Sequence, residues 1–480
     1  MKPRALQALW IIAATLTVAL LGLEIFGSQH FNYQGEAQPL WSLLRMARGA
    51  SYQGTRLELP VYYNPHTPYF FWSVQPLINL LRPESLEATA MVGRGVIVTC
   101  FGLLVWLALR FGSRRLPGFN PALFLCTVAA VVMQFPEMIF LVKPDYASFL
   151  AEFVGFWLVA AYLPTSRRAL LWGSGFAFAA AVALKPNTVG VAVGVGLFLL
   201  WRRQWRTLAV FLAVGLVSVA GFLWLADRLA GDALAIAWHA AFERRPISIG
   251  EAVDTVRAIA TDIVAFNVPL WMLAYWGLRA TRAHRPELAS LLTATVLASL
   301  GVATLGQFAD GAWYNYYFGG FLLAAIPASI GVAEACAIRP VRLALELWLA
   351  VVSVHLALSV GITVNANRNY PYREVLAYLD DRHPGGLVYS NDDSALLHLH
   401  GRTLTAPWAE RYLELVGDFR TDLPALEDAM RAGPGYTAAL IPGAQCERWR
   451  PDGVFRAQIA HLTRLEARFR KLCLFVPATP

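Results

Sequence analysis

Residues 166–206 read SRRALLWGSGFAFAAAVALKPNTVGVAVGVGLFLLWRRQWR, two apolar runs between arginine clusters with Lys185-Pro186-Asn187 at their junction. The runs 169–184 and 188–201 hold 16 and 14 residues. As helices they span about 24 and 21 Å, against a hydrocarbon core of about 30 Å. Arg167 and Arg168 at one base and Arg202, Arg203 and Arg206 at the other anchor the hairpin on one side of a bilayer. Its tip cannot comfortably reach the far water. Polar backbone at that depth has to line water or protein, so the tip is expected on the floor of a cavity open to the opposite side.

The same reading extends along the chain. Of 480 residues 57% are apolar and 15% charged, whereas soluble domains carry roughly 45–50% and about 25%; a soluble enzyme is excluded. Apolar runs at 8–27, 91–110, 119–137, 146–163, 169–184, 188–201, 207–226, 263–279, 287–305, 317–335 and 343–363 predict eleven spans. The first is expected to stay in place, because it runs into Glu24 without a small-residue cleavage site. Alternate connections carry Lys2/Arg4, Arg110/Arg114/Arg115, Arg167/Arg168, Arg202/Arg203/Arg206, Arg279/Arg282/Arg285 and Arg339/Arg342, fifteen positive charges that mark the cytoplasmic side. The N-terminus is then cytoplasmic and the C-terminus outside. The loops 28–90 and 227–262 and the tail 364–480 face the periplasm or its equivalent.

The fold class expected is a polytopic α-helical membrane protein of about eleven transmembrane helices. A membrane domain, 1–363, with a long first periplasmic loop precedes a small periplasmic α/β domain, 364–480. The net charge of +8 comes entirely from the first 364 residues, since the tail holds fourteen basic and fourteen acidic groups. Basicity here orients a membrane protein and does not speak for nucleic acid. In the tail, 386–390 (GLVYS) and 437–441 (TAALI) read as strands and 406–416 and 454–470 as helices. Cys446 and Cys473 both lie there, where an oxidising compartment permits a disulfide. Cys100, Cys126 and Cys336 read as small core residues. In the first loop, Pro39–Ala50 is amphipathic and is expected along the membrane surface.

Ionisable groups at membrane depth mark candidate sites. Lys143-Pro144-Asp145 opens the fourth expected span and Lys185-Pro186-Asn187 the sixth, so two of only four lysines occupy the same context on the outer side. A proline at the first helical position there turns a positive helix end towards the outer face. Both sites suit an anion. Arg94, near the outer end of the second span, either pairs with Glu84 or Glu87 or faces the same cavity. His239, Arg244 and Arg245 on the second outer loop read as solvated loop residues with a phosphate contact as the alternative. Glu36 in the first loop, taken alone, reads as a solvated charge. Asp310, Trp313, Tyr314, Asn315, Tyr316 and Tyr317 form either an interfacial aromatic belt or a sugar-stacking platform.

In order, Gly35-Glu36, the Tyr62-Tyr63-Asn64-Pro65-His66-Thr67-Pro68 stretch, Arg94, Lys143-Pro144-Asp145, the short hairpin tipped by Lys185-Pro186-Asn187, and Asn315-Tyr316-Tyr317-Phe318 share a pattern. It resembles the GT-C superfamily of polyprenyl-phosphate-sugar-dependent glycosyltransferases, within it the bacterial relatives of protein mannosyltransferases and aminoarabinose transferases. The tail run Leu387–Asp393, with His400-Gly401-Arg402 and Pro407, resembles the region after the last span in those relatives. The resemblance implies Glu36 as catalytic base, although the family more often carries an acidic pair where this chain has Gly35-Glu36. It further implies donor-phosphate binding by Lys143, Asp145, Lys185, Asn187 and Arg94, and a substrate cavity lined by Tyr62, Asn64, His66, Tyr314, Asn315 and Tyr316. No cofactor is expected. A divalent metal serves only some branches, and no ligand cluster supports one here beyond the remote combination of His66 with Glu58 or His30.

The function so implied is inverting transfer of a sugar from a polyprenyl-phosphate donor to an extracytoplasmic hydroxyl at a bacterial inner membrane. The acceptor, whether lipid, polysaccharide or protein, has no readable code. A transporter or flippase of an anionic lipid or solute is the rival from another class. It predicts internal symmetry between halves, which the sequence lacks, and gives no work to the first loop or the tail. A membrane anchor for the tail would not need eleven spans.

Overall fold

The computed structural model describes residues 36–49, 67–132, 134, 141–230, 248–308, 314–335, 338–404, 435–442, 446, 449 and 456–478. Helices dominate: α1 (Ala37–Ala47), α2 (Pro68–Leu81), α3 (Leu86–Arg115), α4 (Pro121–Val132), α5 (Asp145–Thr165), α6 (Arg168–Leu184), α7 (Gly190–Trp201), α8 (Trp205–Ala230), α9 (Ile249–Ala258), α10 (Val268–His284), α11 (Pro286–Gly306), α12 (Phe318–Ala335) and α13 (Arg339–Asn369). Each apolar run expected from 91–110 onward overlaps one of them, although 119–137 runs past α4, partly outside the described residues, and 263–279 begins before the break that precedes α10; the run 8–27 lies wholly outside the described residues. Among the described residues six helices are long and apolar enough to cross a membrane, or seven when the pair Ile249–Ala265 and Val268–His284, bent by 56°, counts as one span. α4, α6 and α7 are shorter apolar helices. The chain is a polytopic helical membrane protein.

Surface chemistry agrees. On α8 only Phe211, Ala226 and Ala230 are buried, while Leu212, Leu216, Val217 and Trp224 stand exposed, a helix made for lipid rather than water. Inside the bundle, contact is set by small residues. A Cβ at Gly277 of α10 would overlap the Pro327 carbonyl of α12, and one at Gly331 of α12 the Leu273 carbonyl of α10, the close approach that glycine allows between membrane helices. The bend between α9 and α10 follows π-helical turns at Ile259–Ala265 and Asn267-Val268-Pro269 at the next helix start.

The amphipathic segment expected along the membrane surface is α1, but it is buried. Leu40, Trp41 and Leu43 are all fully enclosed. α2, α3 and α15 (Asp393–His398), the last from beyond the final long helix, all pack against it. An apolar face covered by protein has no reason to meet lipid headgroups.

Beyond α13, α14 (Tyr372–Arg382) and α15 accompany a four-stranded sheet, β1 (Val388–Tyr389), β2 (Ala438–Pro442), β3 (Leu462–Phe469) and β4 (Leu472–Pro477), in the order β1-β2-β4-β3. β1 runs parallel to β2; the other pairs are antiparallel. Tyr372, Val375, Leu379, Val388, Leu440 and Leu474 share a core separate from the bundle's. A Cys446–Cys473 disulfide ties the stretch after β2 to β4. The strands expected at 386–390 and 437–441 are present, and 406–416 lies outside the described residues. The helix expected over 454–470 is instead a short α16 (Arg456–Ile459) followed by strand β3. Leu462, Leu465 and Phe469 are spaced like a helix face, yet two register shifts interrupt the β3–β4 pairing, between Leu462 and Arg464 and between Leu465 and Ala467. In the strand Leu462 and Phe469 are buried while Leu465 is exposed, so the helix-like spacing of the three does not form a buried face.

Candidate active site

Glu36 is the residue before α1 and is fully buried. Its carboxylate is held by two elements distant in sequence. Arg94 Nε donates to Oε1 at 2.9 Å and Arg94 Nη2 to Oε2 at 2.8 Å, a fork-to-fork pair. Val142 N donates to Oε1 at 3.2 Å. Gly93 makes this meeting feasible, since a Cβ there would stand 2.9 Å from Leu43 on α1 and 3.0 Å from Val142. Of the two placements open for Arg94, pairing with Glu84 or Glu87 or facing inward, the inward one holds. Glu87 meets Arg373 instead, because Arg94 lies on the buried face of α3, where Glu36 is the acid within reach.

Three residues past Val142 begins α5. Pro144 stands just before the helix and Asp145 is its first residue. Asp145 Oδ1 accepts from Lys185 Nζ and, at 2.6 Å, from Asn315 Nδ2. Lys185 Nζ also sits 4.9 Å over the Tyr316 ring. The KPD head of α5, the tip of the α6–α7 hairpin and the Asn-Tyr of the late aromatic cluster are thus one polar knot. Thr67 joins it from the first loop, donating to the Leu184 carbonyl at 2.9 Å.

The tip differs in one respect from expectation. Lys185 is the residue after α6, and α7 starts only at Gly190, so no helix N-terminus sits at Pro186. The backbone turns there with Thr188 N donating to the Lys185 carbonyl at 3.0 Å. Lys185 therefore lies at the negative end of α6, a favourable place for a cation. Asn187, two residues beyond Lys185, is exposed, while Lys143 is half-buried two residues before Asp145. Tyr314 opens a 3₁₀ turn that carries Asn315. Tyr62, Asn64, His66, His239, Arg244, Arg245, Asp310 and Trp313 lie outside the described residues, as do Glu58 and His30.

Buried ion pairs persist when each charge is matched and hydrogen-bonded. Glu36–Arg94 and Lys185–Asp145 both meet that condition, with side-chain exposures of 0% and 7%, and 11% and 8%. A divalent cation does not fit the Glu36 end as built, because an arginine and an amide N–H, all donors, surround the carboxylate. Among the described residues no group of three His, Cys, Asp or Glu could hold a metal.

Glu152 escaped the sequence reading. It is a buried acid within α5 that accepts from Val191 N at 3.0 Å. A lone carboxylate inside an expected span, 146–163, was the available signal.

No protein-family model matches the chain, and no curated protein matches it by sequence. Its structure is similar to that of ArnT from Cupriavidus metallidurans. Against ArnT in the apo state the TM-score is 0.65 at 12% identity, covering 98% of each chain. Against ArnT bound to undecaprenyl phosphate it is 0.63 at 12% identity, covering 97% of each. An oligosaccharyltransferase from Archaeoglobus fulgidus in the apo form matches with a TM-score of 0.52 at 11% identity, over 91% of this chain and 69% of that one. The feature shared with these proteins is the fold.

Proposed function

We propose that the chain is an integral-membrane glycosyltransferase that moves a sugar, with inversion, from a polyprenyl-phosphate donor to a hydroxyl on the extracytoplasmic side, the tail 364–480 lying there as a periplasmic domain. The observation that carries this reading is the contact of Glu36 with both Arg94 and Val142. It brings a carboxylate, an arginine and the Lys143-Pro144-Asp145 head of α5 into one buried cluster, beside the Lys185 tip. ArnT, whose fold the chain shares, has been solved bound to undecaprenyl phosphate, which supports a lipid phosphate as donor.

A sugar on a lipid phosphate already has a good leaving group, so the acid that a glycosidase uses to protonate a departing alcohol is not needed. Glu36 takes the proton of the acceptor hydroxyl as its oxygen bonds to the anomeric carbon. The bond from that carbon to the phosphate oxygen breaks, and polyprenyl phosphate leaves with the electron pair. Lys143, Lys185 and Arg94 balance the charge gathering on the phosphate. A carboxylate offers about four acceptor positions, and three donors already surround Glu36. The donor phosphate draws Arg94 towards itself and releases Glu36 to act. Asp145 serves the donor-phosphate site by aiming Lys185 and Asn315.

The experiment is transfer of radiolabel from a polyprenyl-phosphate sugar by the purified chain in sealed proteoliposomes, with an envelope fraction as acceptor. Label moving into the acceptor fraction supports the reading, and uptake of intact donor lipid across the bilayer without transfer overturns it in favour of a flippase.

A further inference from the structure

Glu152 lies seven residues along α5 from Asp145, hence two turns away on the same face, with Ser148 between them. All three reach one hairpin. Asp145 pairs with Lys185, Ser148 Oγ donates to the Ala181 carbonyl at 3.1 Å, and Glu152 Oε1 accepts from Val191 N at 3.0 Å. α5 thereby holds the last turn of α6 and the first turn of α7, on either side of the tip.

Val191 is the second residue of α7, and the first N–H groups of a helix have no partner within it. Val189, just before the helix, has no polar side chain and makes no side-chain cap. A carboxylate from the neighbouring helix supplies what Val189 cannot, and its negative charge suits the positive helix end. The rest of the tip is fixed sterically. A Cβ at Gly190 would meet the Ser299 backbone of α11 at 2.6 Å, and Glu152 Oε2 stands 3.7 Å from where a Cβ on Gly319 of α12 would be. With α7 pressed against α11, the cap from α5 determines where the chain turns between Lys185 and Gly190.

We propose that Glu152 is a positioning residue of the donor site: by capping α7 from across the bundle it sets the place of the tip, and so of the Lys185 ammonium. The proposal rests on the reading of Lys185 as a donor-phosphate contact. Glu152 itself touches no reacting atom.

The test compares wild type, Glu152→Gln and Glu152→Ala in nanodiscs by two measurements, amide hydrogen exchange over residues 185–195 and the Kd for polyprenyl phosphate. Glu152→Leu replaces Glu152→Ala if the latter does not fold. The cap predicts that Glu152→Ala speeds exchange at Val191 and weakens polyprenyl-phosphate binding by about tenfold. Glu152→Gln keeps an acceptor oxygen and restores both. Unchanged exchange in Glu152→Ala overturns the cap, and faster exchange with unchanged Kd overturns the positioning role. A wild type that does not bind polyprenyl phosphate at all overturns the donor-site reading and this role with it, while the exchange comparison still decides the cap.

Discussion

Arg94 and Glu36, 58 residues apart in sequence, face each other through two parallel hydrogen bonds of 2.9 and 2.8 Å in a buried setting. Removing one partner of such a pair strands the other charge away from water, at a cost of about 3–5 kcal/mol. Arg94→Met is therefore expected to lower thermal stability more than the double variant Glu36→Gln/Arg94→Met, in which no charge remains. Thermal unfolding of the three proteins in one detergent checks this; a double variant less stable than Arg94→Met would contradict it.

Lys185 and Asp145 give opposite predictions for donor binding. Lys185→Ala removes a charged hydrogen-bond donor, an interaction of about 1.5–3 kcal/mol, so the Kd for polyprenyl phosphate rises by roughly 10- to 100-fold. Asp145→Asn removes the anion that competes with the phosphate for Lys185 and also loosens its aim. Binding is then expected to tighten severalfold while turnover falls. A Kd raised equally in both variants would show that Asp145 contacts the donor itself.

His400 is half-buried against Trp41, with ring centroids 4.5 Å apart, and accepts from Arg48 on its Nδ1 when neutral. Burial first, then the nearby Arg48 and Arg45 charges, lower its pKa to about 4 from 6.5. The unfolded chain therefore binds the proton more readily, and between pH 6.5 and 4 stability falls as pH falls. Unfolding temperatures measured across that range should decline with acidification in wild type, and His400→Phe should flatten the slope. Equal slopes would show that other groups carry the dependence.

The Cys446–Cys473 disulfide fits a tail in an oxidising compartment. Protein taken from membranes under alkylating conditions is expected to show neither thiol reacting with a maleimide-polymer reagent until reductant is added. Both Cys446→Ser and Cys473→Ser should weaken the tail by about 3 kcal/mol, the scale for closing a loop of a few tens of residues. Two reactive thiols in freshly isolated membranes would place the tail on the reducing side.

The helices of the bundle were legible because each apolar run carries its own signal and its arginine flanks, independent of what it packs against. Their partnerships were not. Nothing near Arg94 in sequence points to Glu36, and Glu84 and Glu87 were the nearer acids; only the fold decides which face of α3 is inside. Lys185 was recognised as a cation at depth, but its place at the end of α6 depends on where α7 is capped, and Glu152 on α5 supplies that cap. α1 was legible as an amphipathic helix, yet its burial needed the tail helix α15, supplied by residues about 350 positions away. β3 reads as a helix because Leu462, Leu465 and Phe469 are spaced like a helix face, although Leu465 is exposed once the strand pairs with β4. Glu152 stood in plain view as an acid within a span.

The central claim is that Glu36 takes the proton of the acceptor hydroxyl. Its most direct measurement is the single-turnover rate of sugar transfer from a radiolabelled polyprenyl-phosphate donor by folded, donor-saturated Glu36→Gln in nanodiscs. The amide keeps the size of the side chain but cannot act as the base, so transfer is expected to slow by about 10²- to 10⁴-fold. A Glu36→Gln protein that binds donor and transfers sugar at the wild-type rate would contradict the account.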